Sequence, residues 1–299
     1  MKRIEITENE MEQRLDRFLC KYLNNTSKTN IYKLIRKKRI KVNGKKADEK
    51  YFLQYGDQVD IMLHPNAIEE MIKAEKVYSA TDVNLDIVYE DDDILIVNKP
   101  AGLLTHPDQK EYKNTLATAV QLYLMDLCTR TFKPASIQRL DKNTSGLVLF
   151  GKTYEALKEY NELMRQRKIG KYYLTLVTGQ PKPSGEIKGY MTKDDEKNKI
   201  KVFSKEVKDS KFVHTKYRVL KSNKKFSLLE VELLTGRSHQ IRGSLAYIGH
   251  PIIGDLKYGD KNQLGYKYQL LHAYKIVIDD RTYEKTSDEI QAFVDKHLI

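Results

Sequence analysis

Apolar positions along the chain recur with two different periods. In RLDRFLCKYL, residues 14–23, Leu15, Phe18, Leu19, Tyr22 and Leu23 share one face at helical spacing, and Ile31, Leu34 and Ile35 repeat that spacing in a second segment. Two short amphipathic helices are predicted there. Ile40-Lys41-Val42 then reads as a strand ending on Asn43-Gly44, a strong hairpin signal, and Val59 to Leu63 is a further apolar run. Residues 65–84, PNAIEEMIKAEKVYSATDVN, show neither strand alternation nor a long helical period and are expected to be a connector. From Leu85 the pattern turns strand-like: an apolar run, an acidic turn at Asp91 to Asp93, a second run over Ile94 to Val97, and a turn rich in Pro and Gly. Strands are also predicted over Leu147 to Phe150, Tyr172 to Val177, Phe226 to Leu234 and Leu270 to Ile278, with a helix over Tyr154 to Gln166. The pattern is that of a mixed α and β protein without a 20- to 50-residue repeat.

Composition sharpens this. With 299 residues, 40% of them hydrophobic, the chain has material for a sizeable core and is long enough for one large and one small domain. No run approaches the roughly 18 to 20 apolar residues that span a bilayer, and the N-terminus lacks the apolar stretch of a signal peptide. Cys20 and Cys128 stand far apart, without the spacing of a zinc site or a disulfide framework. No membrane association and no metal are therefore expected, and a reducing cytoplasm is the expected compartment.

The net charge of +12 points to a polyanionic partner. It is concentrated: KTNIYKLIRKKRIKVNGKK, residues 28–46, carries nine Lys or Arg and no acid. An ordinary solvated helix face mixes signs, so nucleic acid is the better explanation of this stretch. Its cations include Lys33, Arg36, Lys37, Lys38, Arg39 and Lys41.

Candidate chemistry lies in three later segments. In SIQRLDKNTSGLVLFGK, residues 136–152, Asp141 precedes Thr144, Ser145 and Gly146, turn formers that tie a loop down by side-chain to backbone hydrogen bonds. A carboxylate on a rigid turn at a strand entrance suits accurate positioning, although a lone Asp there is more simply a cap of its own turn. GKYYLTLVTG, residues 170–179, sets Lys171 and Tyr173 at the head of an apolar strand. LLTGRSHQIRGSLAYIGHPIIGD, residues 233–255, packs Arg237, His239, Gln240 and Arg242 between glycines. No Gly-rich phosphate loop follows a strand, which argues against P-loop and Rossmann sites.

Together RLDKNTSG, KYYLTLVTG, TGRSHQIR, GHPIIGD, VNKPAGLLTHP and LLHAYKIVI occur in the order and spacing of the RluA-type RNA pseudouridine synthases, which the chain resembles over nearly its whole length outside the connector. Arg14 to Leu63 resembles an S4 RNA-binding domain, and KTNIYKLIRKKRIKVN points to the RluC/RluD branch, whose members act on large-subunit (23S) ribosomal RNA. The resemblance implies an α+β chain: a small N-terminal S4-like α/β RNA-binding domain (1–64), a linker (65–84) and a larger catalytic domain (85–299) with a central, mostly antiparallel sheet. It also implies roles. Asp141 is the carboxylate acting at the ribose, as nucleophile or as base of an eliminative route, and Arg242 pairs with it. Tyr173 stacks on the target base and assists proton transfer from C5; Arg139 fills the gap left by a flipped nucleotide. RNA contacts are expected from the basic stretch and from Arg237, His239 and Gln240. Breaking the N1–C1′ bond, rotating uracil and rejoining through C5 involves no redox change and no energy source, so no cofactor is implied, and no protein partner either.

Two positions beside these motifs depart from the family pattern. Gln138 stands where His is usual before RLD, and Gly243-Ser244 replaces Val-His after HQIR. Transfer RNA is the alternative substrate, and a non-catalytic RNA-binding or ribosome-assembly factor the alternative activity. A glycoside hydrolase built on Asp91 to Asp93 and Asp141 has no use for the cationic stretch.

Overall fold

The computed structural model describes residues 1–73, 81–194, 199–259 and 264–298. The chain divides into two compact units, one of residues 1–81, 120–135 and 151–159, the other of residues 82–119, 136–150 and 160–299.

In the first unit, strand β1 (Lys2–Glu5) leads to helices α1 (Leu15–Tyr22) and α2 (Lys28–Arg36), then β2 (Ile40–Val42), β3 (Gln58–Ile61) and α3 (Pro65–Glu70). The helices form where the spacing predicts them. Leu15, Phe18, Leu19, Leu23 and Ile31 are fully buried, and the Ser27 hydroxyl caps α2 by accepting from the Asn30 N–H at 3.2 Å. Asn43 (φ 50°) and Gly44 (φ 74°) both take the left-handed conformation of a two-residue turn, closed by paired backbone bonds between Val42 and Lys45. The strand that pairs with β2 nonetheless comes later, at β3, giving the antiparallel order β1-β3-β2. β1 was not foreseen, because four residues carry too little alternation.

The stretch expected to be a connector starts inside this unit. Pro65 opens α3, Ile68 is 5% exposed in the core, and the Asn25 N–H donates to the Met71 carbonyl at 2.9 Å. One buried side chain in six residues leaves no period to read. Residues 74–80 of that stretch lie outside the described residues. Two segments remote in sequence also belong here: the Glu10 carboxylate accepts from the Thr129 and Thr131 hydroxyls at 2.7 and 2.8 Å.

The second unit is organised on a sheet. Its strands are β4 (Asp86–Glu90), β5 (Ile94–Lys99), β6 (Ala135–Ser136), β7 (Ser145–Gly151), β8 (Ile169–Thr178), β9 (Ser184–Asp194), β10 (Lys199–Phe203), β11 (Lys211–Ser222), β12 (Phe226–Leu233), β13 (Leu271–Ile278) and β14 (Arg281–Glu284). Helices α4 (Leu116–Tyr123), α5 (Tyr154–Arg165), α6 (Gln240–Tyr247) and α7 (Asp288–His297) connect or follow them. Among the described residues the order is β10-β9-β11-β12-β8-β13-β7-β5-β4, with β14 beside β13 and β6 beside β7. Pairing is antiparallel from β10 through to β13, whereas β13 and β7 run parallel. Leu147 to Phe150 and Leu95 to Val97 are wholly buried, as two-sided central strands require. Gly146 (φ 117°) makes this possible, since a Cβ there would lie 2.4 Å from the Ala273 backbone. Among the described residues no helix is long and apolar enough to cross a membrane.

Candidate active site

The turn that carries Asp141 is clamped by the loop after β5. Lys99, fully buried at the end of that strand, donates through Nζ to the carbonyls of Pro100, Leu103 and Lys142 at 2.9, 2.8 and 3.0 Å. Gly102 N–H also donates to the Lys142 carbonyl, and the Thr105 hydroxyl donates to the Leu140 carbonyl at 3.0 Å. Burial takes the Lys99 ammonium down to about 7 while the Asp141 charge pulls it back. Three carbonyl acceptors match the three N–H of an ammonium, so the geometry favours the charged form. Within the turn, Thr144 N–H donates to the Asp141 carbonyl, and Gln269 donates to the Thr144 hydroxyl at 3.1 Å. The Asp141 carboxylate emerges with its side chain 24% exposed.

Helix α6 brings a cation to it. Arg242 is gripped by Asp255, whose Oδ2 and Oδ1 accept from Nε and Nη2 at 2.7 and 2.9 Å, and its Nη1 donates to Asp141 Oδ2 at 3.2 Å. The Asp255 side chain is 0% exposed. Burial opposes the Arg242 charge, and Asp255 followed by Asp141 more than restores it. The Tyr258 ring lies 5.1 Å from the guanidinium. His239, just before α6, directs Nε2 to within 3.8 Å of Asp141 Oδ2.

Tyr173 completes the group from β8. It is 5% exposed, and burial followed by the Asp141 charge pushes its hydroxyl well above the usual range, so it stays protonated. Lys171, two residues earlier and thus on the same strand face, donates to Met164 Sδ at 3.3 Å, and burial lowers its ammonium.

Asp141, Arg242, Tyr173 and His239 are therefore brought together, although His239 was expected to touch RNA. Arg139 and Arg237 are exposed. Gln240, also expected at RNA, is not free to serve there. It is 2% exposed, its amide donates to the His214 carbonyl and Thr215 hydroxyl, and its carbonyl accepts from the Thr235 hydroxyl and Arg237 N–H. Both donors and both lone pairs are committed to the fold. In the first unit Lys33, Arg36, Lys37, Lys38 and Arg39 are exposed and Lys41 is half-buried.

Sequence reasoning missed Lys99, Asp255 and Tyr258. The first two lay in plain view in VNKPAG and GHPIIGD, but nothing local tells a buried partner from a turn residue. The departure at Gly243 has a packing reason. A Cβ there would sit 2.1 Å from Ile200 Cδ1, so a larger residue would require the Ile200 side chain to move.

Known proteins match the chain in sequence and in fold. The profile of the RNA pseudouridylate synthase family matches residues 93–247, and that of the S4 domain residues 13–59. An uncharacterised RNA pseudouridine synthase of Mycoplasma pneumoniae is 36% identical over 88% of this chain and 84% of its own length. The ribosomal large subunit pseudouridine synthase C of Vibrio cholerae is 30% identical over 99% of this chain and 94% of its own. Among solved structures, human RNA pseudouridylate synthase domain containing 4 shares the fold, with a TM-score of 0.58 at 22% identity over 70% of this chain and 92% of that one. With its RNA pseudouridylate synthase and S4 regions matched in order, the chain belongs to the RluA-type RNA pseudouridine synthases and is an enzyme of RNA.

Proposed function

We propose that this enzyme isomerises one or more uridines of large-subunit ribosomal RNA, with Asp141 as the carboxylate acting at the ribose. The observation that carries the reading is the sharing of Arg242: a buried Asp255 holds it bidentate, and its remaining nitrogen meets a half-open Asp141 beside the buried Tyr173. A preformed cation that needs no reorganisation holds the Asp141 carboxylate in one orientation. Asp141 attacks C1′ or removes a ribose proton, and either route consumes its negative charge. Tyr173, kept protonated by burial, serves as a stacking face for the target base beside that carboxylate. Arg139, exposed two residues before Asp141, fills the gap left by the flipped nucleotide in this reading. The ribosomal substrate is supported by the S4 region, its exposed cations, and a relative named for the large subunit. A ribosomal substrate supports a cytoplasmic location.

The test is carbodiimide mapping of pseudouridine in total RNA from cells lacking the gene, complemented with wild type or Asp141→Ala. Ribosomal positions that lose the mark and regain it only with wild type are the expected result. Marks lost from transfer RNA instead would move the substrate, and full restoration by Asp141→Ala would remove Asp141 from the reaction.

A further inference from the structure

His239 occupies the left-handed backbone region (φ 56°, ψ 15°), where a non-glycine residue persists only when its surroundings hold it. Its imidazole is held by one residue. Nδ1 lies 2.8 Å from the Tyr258 hydroxyl, which also accepts the Ile200 N–H at 2.9 Å. Among the described residues these are the two hydrogen bonds of that hydroxyl. Ile200 can only donate, so of these two partners Nδ1 is the one able to take the Tyr258 proton. An imidazole that accepts at Nδ1 carries its proton on Nε2, the nitrogen facing Asp141 Oδ2 at 3.8 Å.

We infer that Tyr258 is a positioning residue for the reaction: it fixes His239 as the Nε2–H tautomer, so that a neutral N–H donor faces Asp141 opposite Arg242. The two groups come from opposite ends of one turn of chain, Arg242 bonding Oδ2 at 3.2 Å and His239 Nε2 lying 3.8 Å from it, which leaves Oδ1 for the ribose. The groups facing His239 are Asp141 from the RLD turn, Arg242 from α6, and Asp255, Lys257 and Tyr258 from the loop after it. Burial lowers the imidazole below its ordinary range, Asp141 and Asp255 oppose that, and Arg242 and Lys257 reinforce it. Tyr258 is itself pushed up to about 12, chiefly by burial, and keeps its proton at neutral pH. A second device agrees. Protonating His239 would turn Nδ1 into a donor and oblige the Tyr258 hydroxyl to turn its proton away, giving up the bond it makes to Nδ1, so the tyrosine disfavours the imidazolium. The inference rests on Asp141 being the reacting carboxylate, but the tautomer is read without turnover and stands or falls separately.

The experiment uses full-length protein with 15N-labelled histidine, the His239 resonances being assigned by their loss in His239→Gln. In wild type the expected shifts are those of an unprotonated Nδ1 and a protonated Nε2, with a midpoint below that of an exposed histidine. In Tyr258→Phe the donor to Nδ1 is gone, so the midpoint moves upward and both tautomers are populated. Single-turnover pseudouridine formation, on the ribosomal fragment identified by mapping, falls roughly tenfold or more in Tyr258→Phe with RNA affinity unchanged. His239→Gln, which keeps a donor at the Nε2 position, retains several-fold more rate than His239→Asn, which does not. A wild-type Nδ1–H tautomer, or the same tautomer and midpoint in Tyr258→Phe at an unchanged melting temperature, overturns the inference. Tautomer shifts as expected with no difference in rate between His239→Gln and His239→Asn would also overturn it, by removing the link to Asp141.

Discussion

Arg242 makes three side-chain hydrogen bonds to two carboxylates that differ in what they can do. Asp255 is wholly buried and takes two of them; Asp141 is partly open and takes one. The first is the structural anchor, and the second keeps an accessible oxygen. Removing Arg242 strands the Asp255 charge in the interior, and removing Asp255 strands the guanidinium, so either substitution to Ala should cost about 3 to 5 kcal/mol. Asp141→Ala leaves the buried pair intact and should change urea stability by no more than about 1 kcal/mol while abolishing turnover. Equal destabilisation by Asp141→Ala, or none by Asp255→Ala, would show that the division of labour is wrong. The motif residues and, through the resemblance, the pairing of Arg242 with Asp141 were legible from the sequence, whereas Asp255 as the anchor of Arg242 was not. Arg242 and Asp255 are 13 positions apart and Arg242 and Asp141 are 101 apart, distances over which no local pattern reports contact.

At the scale of elements, the central strands announced themselves and the outer ones did not. Leu147 to Phe150 is an apolar run because both faces of the sheet are covered there, and in Tyr172 to Val177 the burial is complete from Thr175 onward. β9 and β11 alternate in burial, but Gly189 and Thr215 occupy inward positions, which erases the apolar signal that alternation would otherwise give. Two glycines separate strain from packing. Gly44 and Gly146 both have positive φ, but a Cβ at Gly44 meets nothing within 4 Å, whereas one at Gly146 strikes the Ala273 backbone at 2.4 Å. Gly44→Ala should therefore cost about 1 kcal/mol. Gly146→Ala must part β7 from β13 and should cost more than about 3 kcal/mol or abolish folding, since backbone cannot yield as a side chain does. Chemical denaturation of the two variants checks this. Similar losses would mean that the two strands separate more easily than their geometry implies.

For the whole molecule, charge and fold are separable quantities. Lys33, Arg36, Lys37, Lys38 and Arg39 are exposed on the first unit and do not carry its core. Replacing the five by Gln should leave the melting temperature unchanged and flatten the salt dependence of RNA affinity, by about 0.9 in the log–log slope for each duplex phosphate no longer neutralised. An unchanged slope would make the stretch an ordinary solvated face. Substitution is the better probe than truncation, because residues 120–135 and 151–159 share this unit and Thr129 and Thr131 bind Glu10 within it.

The sequence by itself determined the central elements, the cationic stretch and the motif residues Asp141, Tyr173 and Arg242, because periodicity records which face is buried and short motifs keep their residues together. It also carried the resemblance that the family matches bear out. Only the tertiary structure decided that Gln240 is spent inside the fold, that Lys99 staples the RLD turn, that Asp255 holds Arg242, and that Tyr258 faces His239. The physical reason is common to all four. A buried polar group must find partners, but which atoms supply them depends on how distant strands and loops close on one another, and local periodicity does not encode that.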